Sequence, residues 1–434
     1  MRSSLITVIA SSMAGFALAK YRFLGRQLIF LVIFPEGIAE RCSKRMRSTR
    51  MDKLRIGIIG VGTMGSLHAQ KILEGKVPRC ELTAICDPIA EKMEQFSSVA
   101  GFLSADEFLS SSEADAVLIA TPHYSHTTIG IAALATGRHV LVEKPISAHK
   151  ADAERLIAAP RSAGQVFAAM FNQRTDPYFL KLWQLVRSGE LGTLRRVHWT
   201  ITNWFRTDAY YQSSDWRATW SGEGGGVLLN QCPHNLDLFQ WIFGMPSLVR
   251  AFCNFGRYHD IEVEDDVTAY FEYADGMTAI FCASTGEAPG TNRLEVVAER
   301  GKVVIENDQF LFARNAVPMS EFARTDPGRF TLPETTEIRF PIESHGPQHI
   351  GILENFVSAI LDGIPLIAPA PEGIHSLELA DACLLSTFEN RTVQLPIDGV
   401  AFERHLKDRS AASSIRPVRK ITGKSGDDIA GSFR

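Results

Sequence analysis

Paired cysteines, unbalanced charge and long apolar runs are all missing from this chain of 434 residues. Its seven cysteines stand at 42, 80, 86, 232, 253, 282 and 383, and none forms a C-x-x-C spacing. An odd set so spread supports neither a disulfide framework nor a zinc ribbon, and a reducing, cytoplasmic setting is expected. Lys and Arg (45) nearly balance Asp and Glu (49), for a formal net charge of −4. That argues against nucleic acid as a partner. There is no internal repeat. No metal is expected either, because His234 and Asp237 share a helical segment without an evident third ligand. The first apolar run, Leu5–Ala19, falls short of the roughly 20 residues a membrane span needs, so no stable membrane partner is expected. With 45% hydrophobic and 22% charged residues, the composition is that of a globular protein of two or three domains.

Residues 1–50 differ from the rest. An A-x-A arrangement, Ala17-Leu18-Ala19, follows the apolar run, so export on a signal peptide is one reading. A membrane anchor is another. A second apolar block (Gln27–Phe34) and the basic residues Arg41, Lys44, Arg45, Arg47 and Arg50 fit neither well. The segment Ser12–Arg26 resembles part of a sugar ABC-transporter permease subunit. This favours a fused or mis-started extension, with translation beginning at Met46 or Met51, and hints weakly at sugar chemistry.

From Lys53 a buried-strand pattern, Leu54–Ile59, runs into Gly60-Val61-Gly62-Thr63-Met64-Gly65 and then a helical pattern. The first glycine permits the turn and the second lets backbone N–H groups approach a pyrophosphate. The third lets helix and strand pack closely. A second strand, Glu81–Cys86, ends in Asp87, about 20 residues beyond the glycines, where an acid bonds the ribose 2′-hydroxyl. Asp87 should repel a 2′-phosphate and no arginine follows it, so NAD is expected over NADP. A third strand, Ala116–Ala120, stops at Thr121-Pro122-His123, at the carboxyl edge where such sheets bind ligands. His123 and His126 are candidate cofactor contacts, although loop histidines are often merely solvated. A helix is read over Ile129–Gly137. A fourth strand, His139–Val142, ends in Glu143-Lys144-Pro145. Lys144 there could meet a substrate hydroxyl and the nicotinamide ribose; on spacing alone, a surface salt bridge is as good a reading.

The glycine loop, Thr121-Pro122, Glu143-Lys144-Pro145 and a later stretch, Gly224–Asp237 (GGGVLLNQCPHNLD), together resemble the Gfo/Idh/MocA family of glucose–fructose oxidoreductases and inositol dehydrogenases, over roughly residues 53–400. The resemblance implies an α/β protein: an N-terminal Rossmann domain with a doubly wound parallel sheet, and a C-terminal α/β domain with a large, mostly antiparallel open sheet. The expected boundaries are 1–50 extension, 51–172 NAD-binding domain, 173–405 substrate and oligomerisation domain, and 406–434 disordered tail. It implies NAD(P)-dependent oxidation or reduction of sugars or cyclitols, with Lys144 and His234 catalytic. The cofactor-binding set comprises Gly60, Gly62, Thr63, Met64, Gly65, Asp87, Thr121, Pro122, His123, His126, Glu143 and Lys144. Many members carry Asp where this chain has Asn230, which cannot carry charge. The site is thus expected to lose an anion that would raise the histidine pKa. The closest likeness is to members that oxidise the C3 hydroxyl of a hexose or hexoside.

Residues 203–217 are dense in aromatics, arginines and amides, the groups that stack on and hydrogen-bond sugar rings. Trp204, Arg206, Tyr210, Trp216 and Arg217 are candidate substrate contacts, with Arg174, Asn230 and His234; a core patch or subunit interface would also explain the aromatics. A helix from Val227 to Phe243 would set Asn230 and His234 on one face, one turn apart. Strands are read over Arg195–Phe205, Asp266–Glu272, Met277–Ser284, Arg293–Ala298 and Gly301–Ile305, and helices over His349–Leu361 and Pro371–Glu389. One sheet face would remain free to form a homodimer or homotetramer. An inositol dehydrogenase or keto-sugar reductase is the nearest rival, and a nicotinamide-binding regulator without chemistry the remote one.

Overall fold

The computed structural model describes residues 53–413. The expectations for residues 1–50, the start sites Met46 and Met51, and residues 414–434 lie outside the described residues.

Short, mostly apolar runs form six strands: β1 (Leu54–Ile59), β2 (Cys80–Cys86), β3 (Ala100–Phe102), β4 (Ala116–Ile119), β5 (His139–Val142) and β6 (Phe167–Ala169). They are ordered β3-β2-β1-β4-β5-β6, with every neighbour parallel. The two central strands, β1 and β4, are buried on both faces except at Arg55. Strand order reverses between them, so their carboxyl ends open the crevice where doubly wound sheets bind ligands. The helix after β4 spans His123–Ala135, six residues earlier than its apolar pattern suggests. Pro122 starts it, and His123, His126 and Thr127 take the buried places that apolar residues would normally signal.

The second sheet contains β7 (Leu194–Ile201), β8 (Leu248–Phe255), β9 (Glu264–Glu272), β10 (Thr278–Ser284), β11 (Asn292–Ala298), β12 (Gly301–Glu306), β13 (Gln309–Asn315), β14 (Thr335–Phe340) and β15 (Val393–Gln394). Its order is β14-β13-β12-β11-β7-β10-β9-β8-β15, antiparallel except between β7 and β10. Strict alternation in β7 and β9 turns Val197, Trp199, Ile201, Val267, Ala269 and Phe271 inward. Phe239, on the helix Pro233–Phe243, packs its ring edge against Phe271 and Phe281, which anchors that helix to the sheet. The opposite face exposes Phe252 and Tyr270.

The last part of the chain returns to the nucleotide-binding half. Ala169 N–H donates to Ala368 O (3.0 Å). On the helix Lys150–Ile157, Lys150 bonds Asp381 and Glu378. The final helix runs Gly399–Ala411, so the tail expected from 406 is ordered through its first turns. Phe402 and Leu406 are buried, and Arg409 lies over the Phe388 ring at 3.4 Å. A sparse apolar stripe in an otherwise polar run is what hid this helix. Among the described residues no helix is long and apolar enough to cross a membrane.

Candidate active site

The glycine loop closes the gap between β1 and the helix Thr63–Leu73. Gly60 has φ +92° and abuts Ala120–Thr121, where a Cβ would stand 2.6 Å from the Ala120 oxygen. A Cβ on Gly65 would meet Gly60 O at 1.8 Å, so only glycine lets helix and strand approach this closely. Gly62 caps the helix without a side-chain bond, and nothing lies within 4 Å of where its Cβ would be. Thr63 is exposed and Met64 half-buried beside it. An uncapped helix start facing open space suits a diphosphate. These residues fit a dinucleotide.

Asp87 stands at the end of β2 but is more occupied than its spacing suggests. Its carboxylate accepts Val61 N–H (2.9 Å) and Ile89 N–H (3.0 Å), and Lys92 Nζ lies 3.6 Å away. It braces the glycine loop, and a ribose hydroxyl would share its remaining lone pairs. His126 is turned inward: Nε2 faces Thr121 O (2.7 Å) and Nδ1 faces Pro145 O (2.8 Å), tying together the loops after β4 and β5. His123 Nδ1 lies 3.1 Å from Glu223 O in the other half. Burial lowers both histidines, His123 to about 3, so His123 is a neutral brace and His126 is wedged between two carbonyl oxygens, where solvated or cofactor-facing histidines were expected.

Glu143 is likewise buried. One oxygen meets His68 Nε2 at 2.6 Å and the other accepts Lys144 N–H at 3.1 Å. Burial would raise its pKa, but the bond from His68 and the surrounding positive groups hold it at about 2. The lysine is thus fixed from below. Lys144 Nζ reaches across to donate to Asn230 O at 2.8 Å. Burial lowers its pKa; Glu143 and Glu223 oppose this, while Arg217 and Arg206 add to it.

Asn230 and His234 do not share a helix. Pro233 opens the helix Pro233–Phe243, and residues 226–232 form a separate turn. Proline disfavours helical backbone in the residue before it. Glu264 pins this turn, accepting Gly226 N–H (2.8 Å) and Leu228 N–H (3.0 Å) on one carboxylate oxygen. A Cβ on Gly226 would sit 2.0 Å from Glu264 O. His234, buried at the start of the helix, leaves Nδ1 without a partner and packs edge-on to Phe171. Burial first, then the charge of Lys144, depresses its pKa well below the usual histidine value.

The aromatic segment converges on the same place. Tyr210 hydroxyl donates to Asn230 Oδ1 (3.2 Å) and accepts from Arg217 Nη1 (2.6 Å) and Gln231 Nε2 (3.2 Å). The Arg206 guanidinium stacks over Trp204 and Tyr210, and that of Arg217 over Tyr210 and Trp216. Trp216 meets His123 edge-on. Arg174 does not join this group. Its side chain is fully buried, bidentate on Asp237 (2.7 and 2.6 Å) and paired with Glu372, so it is a core ion pair and not a substrate contact.

Two residues here were missed in the sequence. His68, three places past the last loop glycine, faces inward from its helix. Glu223, a lone acid inside a glycine cluster, is buried with Oε1 accepting Asn230 Nδ2 and Oε2 accepting Ala218 N–H (2.7 Å). A carboxyl group therefore does stand beside Asn230, supplied from Glu223, whose pKa burial raises while Arg217 and its hydrogen bonds oppose the rise.

Residues 54–171 match the family model "Oxidoreductase family, NAD-binding Rossmann fold", and residues 179–304 match "GFO/IDH/MocA C-terminal domain". Among curated relatives, the myo-inositol 2-dehydrogenase of Thermotoga maritima is 23% identical over 79% of this chain and 98% of its own length. An inositol 2-dehydrogenase of Rhizobium meliloti is 25% identical over 79% and 99%. Among solved structures, the WlbA dehydrogenase of Chromobacterium violaceum, in complex with NADH and UDP-GlcNAcA, superposes with TM-score 0.70 at 24% identity, covering 80% of this chain and 97% of that one. Levoglucosan dehydrogenase with NADH and levoglucosan gives 0.66 at 20% identity, covering 80% and 100%. A glycine loop shaped for a dinucleotide and both family models place this chain in the Gfo/Idh/MocA family of NAD-binding oxidoreductases.

Proposed function

We propose that this protein oxidises a secondary hydroxyl of a sugar or glycoside, at C3 of a hexose ring, with Lys144 and His234 at the reacting carbon. The observation that supports this most is the Lys144–Asn230 contact, which brings an ammonium group of one half to the turn that leads directly into His234. NAD, held by Gly60, Gly62, Thr63, Met64, Gly65, Asp87, Thr121 and Pro122, supplies the hydride acceptor when bound. His234, neutral at pH 7, takes the hydroxyl proton. Lys144 donates a hydrogen bond to the same oxygen and stabilises the negative charge that develops there. The ammonium also keeps the imidazole unprotonated, because a nearby cation disfavours imidazolium. Trp204, Arg206, Tyr210, Trp216 and Arg217 offer stacking faces and donors to the sugar ring.

A panel of methyl hexosides, their C3-deoxy analogues and inositols, each with NAD and followed by NADH absorbance, tests this reading. Turnover of a hexoside with none of its 3-deoxy form is expected. Turnover confined to inositols would replace the hexose with a cyclitol, and none with any hydroxyl donor would reject the oxidation.

A further inference from the structure

We infer that Glu223 is the carboxylate of this site, a positioning residue that fixes the amide of Asn230 and the charge of Lys144; the inference rests on the reaction proposed above. Three contacts meet in this residue. Its backbone oxygen faces His123 of the nucleotide-binding half (3.1 Å). One carboxylate oxygen takes Ala218 N–H and the other takes Asn230 Nδ2. Both oxygens are acceptors, so an ionised carboxylate satisfies both donors and an amide in its place satisfies only one.

The bond to Nδ2 decides which way Asn230 points. With its amide nitrogen on Glu223, its Oδ1 must receive the hydroxyl of Tyr210, and the phenol oxygen is then free to accept from Arg217. The donor directions from Glu223 to Arg217 are thus set as one chain, and Asn230 O holds Lys144 beside it. Such a chain loses more than one bond when one end is removed.

Burial raises the Glu223 pKa and Arg217, Lys144 and the bonds from Ala218 and Asn230 oppose this; Arg206 acts on Lys144, His123 is held neutral, and Glu264 is a second carboxylate within electrostatic reach. Glu223 therefore opposes the burial that strips Lys144 of its proton. Without that anion Lys144 deprotonates at lower pH.

The test compares Glu223→Gln, Asn230→Asp and the double exchange, using NAD and a methyl hexoside. Glu223→Gln is expected to lower kcat about 100-fold, the scale of a misplaced reacting group. NAD affinity should be unchanged, and the alkaline limb of kcat/KM should move to lower pH. Asn230→Asp, which sets two carboxylates against each other, is expected to be as poor near pH 7. The double variant restores one carboxylate and one amide across the same bond, and should recover at least about tenfold over Glu223→Gln. An unmoved alkaline limb in Glu223→Gln, or a folded double variant no better than the single one, would overturn the proposal. If Glu223→Gln does not fold, Glu223→Asp, which keeps the charge, must keep the limb in place. Lys144→Ala is the control: full turnover there defeats the reaction itself, whereas its loss beside a normal Glu223→Gln defeats only the role of Glu223.

Discussion

Arg174 and His234 show how differently burial acts on single residues. Arg174 is enclosed with Asp237, its charge compensated by a two-pronged bond, and it pairs also with the half-buried Glu372. Arg174→Ala leaves Asp237 buried without its cation, and should cost about 3–5 kcal/mol of stability while kcat of the surviving folded protein stays within a few-fold. Denaturant unfolding beside steady-state kinetics would show this split; a large kcat loss at unchanged stability would return Arg174 to the substrate. His234 is enclosed without a compensating partner on Nδ1 and is held neutral. Turnover should therefore persist into mildly acid solution, below the usual histidine range. On the alkaline side it should fail before the ordinary lysine pKa, as the depressed Lys144 loses its proton. A pH profile of kcat/KM with an acid limb near 6.5 would contradict the neutral, desolvated imidazole.

At the level of elements, two of the three loop glycines, Gly62 and Gly65, make opposite demands. Gly62→Ala adds a methyl into open space at φ −75°, so the fold should be indifferent to it while NAD binding weakens by tenfold or more, because the methyl occupies the approach to the helix start. Gly65→Ala drives a methyl into Gly60 O and should lower the melting temperature by several degrees, a cost of about 1–3 kcal/mol. Equal effects on melting and NAD binding in both variants would show that the loop is packed differently. Those glycines, β1, β2, β4 and β5 were legible because periodicity and turn chemistry agree there. The helix starting at His123 was not, since buried polar side chains carry no apolar stripe. Nor was the break before Pro233: the apolar run Val227-Leu228-Leu229 reads as helix, and the distant Glu264 helps Pro233 to make it a turn. Glu223 was invisible for the same reason, because its partners Ala218 and Asn230 are chosen by the fold of the turn and not by any spacing.

For the whole molecule, the nine-stranded sheet covers one face with helices and leaves Phe252 and Tyr270 exposed on the other. A homodimer or homotetramer formed through that face is expected by sedimentation, and Phe252→Glu with Tyr270→Glu should shift it toward the monomer. A wild-type monomer at micromolar concentration would contradict that. The two halves are not independent bodies joined by a linker: the segment at Ala368, the ion pair of Lys150 with Glu378 and the last helix all cross back to the nucleotide-binding half. Lys144, after β5, likewise reaches across to Asn230 O in the turn before Pro233. The most direct measurement is single-turnover hydride transfer from a methyl hexoside to NAD in Lys144→Ala and His234→Ala, beside the NAD affinity of each. Loss of at least about 100-fold in the transfer rate of both, with NAD affinity retained, is the expected result. Transfer within a few-fold of wild type in either variant would contradict the convergence of the two groups.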